Sequence, residues 1–191
     1  MACAFLVLFT TYGVQYSFGV FLPPMLDDLG WQRASLGGAF SLYTMVYMSL
    51  SLVSGRLTDT LGPRRVVGIG GLMLGLGIIA TSQMTAQWHL YLFYGIIAAI
   101  GMSTAYIPCN ATVVRWFDRQ RGLALGIASC GASCGILVVP TLSSYLITLT
   151  DWRTSLLILG ASMFLLIILA ARFMVRDPEL CLLYTSDAAD E

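Results

Sequence analysis

Lysine is absent from this 191-residue chain, histidine occurs once, at position 89, and only 10% of the residues are charged. A soluble domain carries about 25% charged residues, so the polar surface of a water-soluble fold is missing. Ten arginines balance ten acidic residues, and a net charge of zero excludes the basic footprint of a nucleic-acid binder. No phosphate-binding loop, metal cluster or nucleophile constellation is present, so neither a cofactor nor an enzymatic activity is expected. The five cysteines are Cys3, Cys109, Cys130, Cys134 and Cys181. Four lie in apolar runs and none groups with His or acidic residues, so they read as buried small apolar residues. The first apolar run has no basic segment before it and no small-residue cleavage site, and it is too long for a secretory signal.

What is present is apolar length. Hydrophobic residues make up 58% of the chain, which accommodates six spans of roughly 20 residues with short connections. The expected spans are Cys3–Leu22 (stopping at Pro23-Pro24), Ala34–Ser54, Val66–Thr81, Leu90–Val114, Gly122–Leu146 and Ser155–Phe173. The fold class is therefore an all-α membrane protein. Eight arginines (Arg56, Arg64, Arg65, Arg115, Arg119, Arg121, Arg172, Arg176) fall on one side and two (Arg33, Arg153) on the other. Positively charged connections stay cytoplasmic, so both termini are expected there. Trp31, Trp88 and Trp152 mark the outer boundary and Trp116 the inner one, where amphipathic rings sit among headgroups. His89 beside Trp88 reads as an interfacial residue, with a proton-handling role as the alternative.

Small residues recur at helical spacing. Gly71-x3-Gly75 and Gly122-x3-Gly126-x3-Cys130-x3-Cys134 place small side chains on one face, which lets helices approach closely in lipid. Gln32-Arg33 is followed by Gly38 and Ser41, and Gln120-Arg121 by Gly126 and Ser129, at the same offsets. Spans two and five thus open alike from opposite faces, as a 3+3 inverted repeat requires.

The densest charge cluster in the first half is Gly55-Arg56-Leu57-Thr58-Asp59-Thr60-Leu61-Gly62-Pro63-Arg64-Arg65. It reads as a short loop joining spans two and three, with Gly55 and Gly62 bracketing a tight turn. Its pattern, G-x-L-x-D-x-x-G-x-R-R, resembles the signature loop of the major facilitator superfamily of secondary transporters. A second stretch, Arg115-Trp116-Phe117-Asp118-Arg119-Gln120-Arg121-Gly122-Leu123-Ala124-Leu125-Gly126-Ile127-Ala128-Ser129-Cys130-Gly131, is similar to the monocarboxylate transporter branch. Pro108, Tyr16-Ser17-Phe18-Gly19-Val20 and Asp151-Trp152-Arg153 also fit that branch. The resemblance covers about residues 10–176. One stretch and two single positions depart from it. Thr11-Tyr12-Gly13-Val14-Gln15-Tyr16 replaces an acidic-Gly-Gly-aromatic motif, Val20 stands where animal members have a Lys, and Tyr91 stands where many superfamily members have an Arg. These departures point to a microbial type.

The resemblance implies the N-terminal half of a twelve-helix transporter. Its implied activity is alternating-access movement of a small organic anion such as lactate or pyruvate, by symport with protons, across a cell (inner) membrane. Oxalate/formate-type or other organic-anion exchange, and a non-transporting six-helix scaffold, are the alternatives. Apart from Arg172 at the inner end of span six, no charged residue falls inside a predicted span, whereas intramembrane charge usually marks the coupling or substrate site. The family places an Asp/Arg pair in the eighth span, so this half is expected to supply a neutral wall near the midplane between the halves. Its candidates are Gln15, Tyr16 and Val20 on span one, Thr104, Tyr106 and Asn110 on span four, and Ser129 and Ser133 on span five. Pro108 and Pro140 withhold backbone donors from the carbonyls of Thr104 and Ile136. Gly55, Asp59, Gly62, Arg64, Arg65 and Arg115 form the expected cytoplasmic gating motif, with Asp59 paired to Arg115 and to a helix N-terminus of the missing C-terminal half. Residues 1–179 are read as the six-helix domain. The segment 180–191 does not fit a central transporter loop and reads as adapter or assembly read-through, with a genuine acidic terminus as the alternative.

Overall fold

The computed structural model describes residues 2–116 and 121–173, with Arg121 seen by its backbone alone. The expected positions of Arg119, Gln120 and Arg176, and the segment 180–191, lie outside the described residues. All regular structure among the described residues is helical, in six segments long and apolar enough to cross a membrane. They are α1 (Ala2–Leu29), α2 (Arg33–Leu61), α3 (Pro63–Ser82), α4 (Gln87–Trp116), α5 (Arg121–Leu149) and α6 (Trp152–Arg172). A helix the length of α2 spans about 43 Å at 1.5 Å per residue, against a hydrocarbon core of about 30 Å. Its ends therefore outrun the lipid, and Arg33, Arg56 and Asp59 ride on those ends.

Two boundaries differ from the sequence expectation. The Gly55–Arg65 stretch is almost entirely helix. α2 continues through Gly55 to Leu61, α3 begins at Pro63, and only Gly62 is non-helical. Gly62 has φ +83°, which glycine alone adopts without penalty. It serves as the last cap of one helix and the first cap of the next. Pro63 follows at N1, where its missing N–H costs nothing. The single turn thus needs one glycine, not two. The Pro23-Pro24 pair does not end α1 either. The two prolines remove donors only from the carbonyls of Gly19 and Val20, while Phe21 and Met25, one turn apart, stay fully buried on the packed face. The helix runs on until Gly30, at φ +64°.

The packing has the symmetry of two inverted triplets. α1 lies along α5, α4 lies along α2, and α3 packs on α6. Exchanging α1–α3 with α4–α6 maps this set of contacts onto itself. Gly71 faces Ile167 and Gly75 faces Phe164, so the expected α3 stripe does receive α6. The expected α5 stripe is displaced. Gly122 and Gly126 have nothing against them, and Cys130 and Cys134 are exposed. α1 instead crosses at Gly131, Gly135 and Val139, which meet Phe5, Phe9 and Gly13 in register, one turn at a time. Small residues occur on both faces of α5, so spacing could not choose between them. Among the described cysteines Cys109 alone is fully buried, and the expectation of burial fails at Cys130 and Cys134.

α4 is irregular. Tyr91–Ala98 is π-helical, and a turn at Thr104-Ala105 precedes the segment Tyr106–Trp116. Thr104 N–H bonds back to Gly101 O and Ala105 N–H to Met102 O, tightening the turn just ahead of Pro108. Such π segments recur at functional sites in helices.

Candidate functional site at the arginine-rich end

The last turn of α2 and the last turn of α4 meet at the end of the bundle that carries Arg56, Arg64, Arg65 and Arg115. The Arg115 guanidinium donates through Nη2 to Asp59 Oδ1 at 2.9 Å, and the two side chains are 37% and 66% exposed. An ion pair so exposed contributes about 0.2–1 kcal/mol, enough to bias a conformation and weak enough to break. Deeper in the same seam, Ser54 Oγ donates to Ser103 O at 2.7 Å. That bond serves a carbonyl beside the irregular turn of α4. Thr58, buried above it, returns its hydroxyl to Ser54 O. A Cβ at Gly55 would meet Ile107 in no more than ordinary van der Waals contact, so the packing there does not require glycine. Arg64 and Arg65 are exposed on the first turn of α3.

A cleft of about 540 Å³ opens beside this pair, between the second segment of α4 and α5. Tyr106, Asn110, Arg115, Leu125 and Ser129 line it with Ile107, Ala111 and Val114. Four sequence candidates (Tyr106, Asn110, Arg115, Ser129) are thereby brought to one surface from two helices. Asn110 presents a buried amide oxygen with no partner. Gln15 does the same on α1. Tyr16 and Ser133 are exposed and Val20 is half-buried, all outside the cleft lining. Thr104 faces the other way. Its Oγ1 donates to Gly101 O and its side chain sits over Gly70 of α3, a helix–helix packing position.

Tyr43, Tyr47 and Tyr94, which the motifs do not single out, help tie α1, α2 and α4 together. Tyr12 OH and Tyr47 OH lie 3.4 Å apart, and the Tyr12 ring meets Tyr106 edge-on at 6.1 Å. Further along the seam Tyr94 stacks between Phe18 (4.2 Å) and Tyr43 (4.7 Å). The spacing Phe40, Tyr43, Tyr47 on α2 is helical, and that periodicity was the available signal.

The opposite end carries a second cluster. Trp152 Nε1 donates to Asp28 Oδ2 at 3.2 Å, and Arg153 approaches the same oxygen at 3.6 Å. Arg153 also donates to Ser82 O and Met84 O, covering carbonyls at the end of α3, and its guanidinium lies 4.5 Å over the Trp152 ring. Trp152 is buried, not the interfacial ring its position suggests, whereas Trp88 and Trp116 are exposed. Asp151 caps α6 by accepting from Thr154 N–H and hydroxyl. The Thr154 hydroxyl bond holds the Asp151 carboxyl below its usual range. His89 Nδ1 accepts from the N–H of Ala86 at 3.3 Å, and the ring stacks on Phe93 at 5.5 Å, closing the α3–α4 turn.

A family model described as Major Facilitator Superfamily matches residues 4–180. The chain is 31% identical over 160 residues to mouse Monocarboxylate transporter 11, covering 84% of this chain and 36% of that protein. It is 32% identical over 150 residues to rat Monocarboxylate transporter 13, covering 78% and 35%. It is 29% identical over 177 residues to MFS-type transporter 1 of the fungus Ophiocordyceps sp., covering 92% and 39%. The chain spans about a third of the length of the curated relatives it matches.

Proposed function

Because the chain belongs to the Major Facilitator Superfamily and is an integral multi-pass membrane protein, we propose that it forms the N-terminal half of a secondary transporter of small organic anions. The substrate class is monocarboxylates such as lactate or pyruvate, moved with protons by alternating access. The arginine-rich end is cytoplasmic in this reading, and so are both termini of the half. The membrane is the cell (inner) membrane. The wall this half offers is neutral apart from Arg115, with Gln15, Tyr16, Tyr106, Asn110 and Ser129 as its polar contacts and Val20 and Ser133 at its margin. Residues of the remaining polypeptide supply the charge for coupling.

The Asp59–Arg115 pair carries the reading. It joins α2 of the first triplet to α4 of the second at the arginine-rich end, through a solvent-exposed contact. A contact of that kind holds while the arginine-rich end is closed and parts as α2 and α4 separate there. Gly55, Gly62, Arg64 and Arg65 shape the same end. The test uses the full-length protein in proteoliposomes, with radiolabelled lactate or pyruvate and an imposed pH gradient. Uptake faster into alkaline than into neutral vesicles is expected. Uptake that ignores the gradient removes symport, and oxalate–formate counterflow would replace it with exchange. Uptake no faster than into empty vesicles overturns the transport reading in favour of a scaffold. Asp59→Asn is expected to cut the maximal rate several-fold without loss of membrane insertion.

A further inference from the structure

We propose that the cleft between α4 and α5 is a carboxylate-docking subsite, in which an incoming small carboxylate takes Arg115 from Asp59 and thereby opens the end of the bundle that Asp59 and Arg115 close. The inference rests on the transport reading and adds to it a ligand site and a trigger. At about 540 Å³ the cleft is within the size range of small-molecule sites. Arg115 is the one charged side chain in its described lining, and that charge is positive. Among the described residues Arg115 donates only through Nη2 to Asp59. A guanidinium carries five donors in a planar fork that matches a carboxylate, so one exposed bond leaves it open to exchange for a two-bond partner. Tyr106, Ser129 and Asn110, whose amide oxygen is unpartnered, line the same space and provide neutral hydrogen-bonding groups for the rest of a hydroxy or keto acid. The apolar remainder of the lining suits a short carbon chain. Asp59 and the ligand would therefore compete for one cation, and occupancy of the cleft would release the ion pair that ties α2 to α4 at the arginine-rich end, with the deeper Ser54–Ser103 bond left in place.

The opposite-sign behaviour of the two partners tests this. In proteoliposomes of the full-length protein, the half-saturating pyruvate concentration is measured from each side. Arg115→Gln is expected to raise it roughly fivefold or more at the arginine-rich face and leave the other face unchanged. Asp59→Asn frees the guanidinium and is expected to lower it about two- to fivefold at the arginine-rich face, even as it lowers the maximal rate. A tie with no ligand role moves both variants in the same direction, because each breaks the same pair. Same-sign shifts, or no shift in either, overturn the proposal. Arg115→Lys keeps the charge without the fork and replaces Arg115→Gln if the latter fails to insert; it is expected to show a smaller rise. Binding is read separately in detergent, at constant ionic strength, as the pyruvate-dependent fluorescence change that disappears in Trp116→Phe. A saturable change strengthened by Asp59→Asn and removed by Arg115→Gln supports the subsite. No saturable change, or one that survives Arg115→Gln, overturns it. If the wild-type protein moves no pyruvate, the transport reading fails and this titration alone decides the subsite.

Discussion

Trp152 on α6 donates its indole N–H to Asp28 at the end of α1, 124 residues away in sequence. The bond sits on a buried ring capped by Arg153, and Arg153 in turn covers the last carbonyls of α3. One small cluster thus closes α1, α3 and α6 at the end opposite Asp59 and Arg115. Trp152→Phe keeps the ring and loses the donor. It is expected to destabilise the protein by about 1 kcal/mol, read as a lowered thermal midpoint in detergent. Asp28→Asn preserves an acceptor and should cost less than Asp28→Ala. Equal midpoints for Asp28→Ala and wild type would remove the cluster's structural role.

Ser54 bridges α2 to α4 through the carbonyl of Ser103. Ser54→Ala leaves that carbonyl unserved beside the α4 turn, with an expected cost of about 1 kcal/mol. Ser51→Ala is the control. Its hydroxyl is exposed and bonds only within its own helix, so thermal unfolding is expected to be unchanged.

Gly135 and Gly126 lie on the same helix and separate packing from mere smallness. A Cβ at Gly135 would run into the backbone of Phe9, whereas one at Gly126 meets nothing within 4 Å. Gly135→Val is expected to lower stability by about 1–3 kcal/mol through overpacking. Gly126→Ala should leave the α1–α5 contact intact. Melting of both variants in the full-length protein checks this, and a neutral Gly135→Val would disprove the close crossing.

Asp151 caps α6 with a carboxyl held below its usual range by Thr154. A carboxyl depressed in the folded state adds stability above its unfolded value, about 3.9, and loses it as pH falls through the lower native value. Asp151→Ala is therefore expected to be less stable than wild type at pH 7, with the gap closing on acidification below pH about 4. A gap that widens in acid would contradict the cap.

Much of the architecture is readable in one dimension. Six apolar runs, the arginine bias and the motif around Asp59 need only composition and spacing, because lipid forces each run into a helix and offers charge no place but the ends. The Asp59–Arg115 contact was within reach for the same reason, since both residues are confined to one end of the bundle. Charge density makes the Gly55–Arg65 stretch resemble a loop, whereas helices longer than the bilayer carry their charges on helical ends. Pro23-Pro24 presents the same ambiguity. Proline removes a donor, but burial of Phe21 and Met25 on one face keeps the helix going.

Helix type, span count and the uneven charge of the two ends followed from the order of residues, since each is a local response to a slab of hydrocarbon. Which face of each helix is spoken for was decided only in three dimensions. Gly131 and Gly135 were used for crossing α1 while Gly122 and Gly126 were left open. Thr104 turned to Gly70 while Asn110 turned to the cleft, and Trp152 turned inward to Asp28. The physical reason is that in lipid nearly every face of a span is apolar. Hydrophobicity cannot rank those faces, and only the fit of small residue against backbone and of donor against acceptor does so.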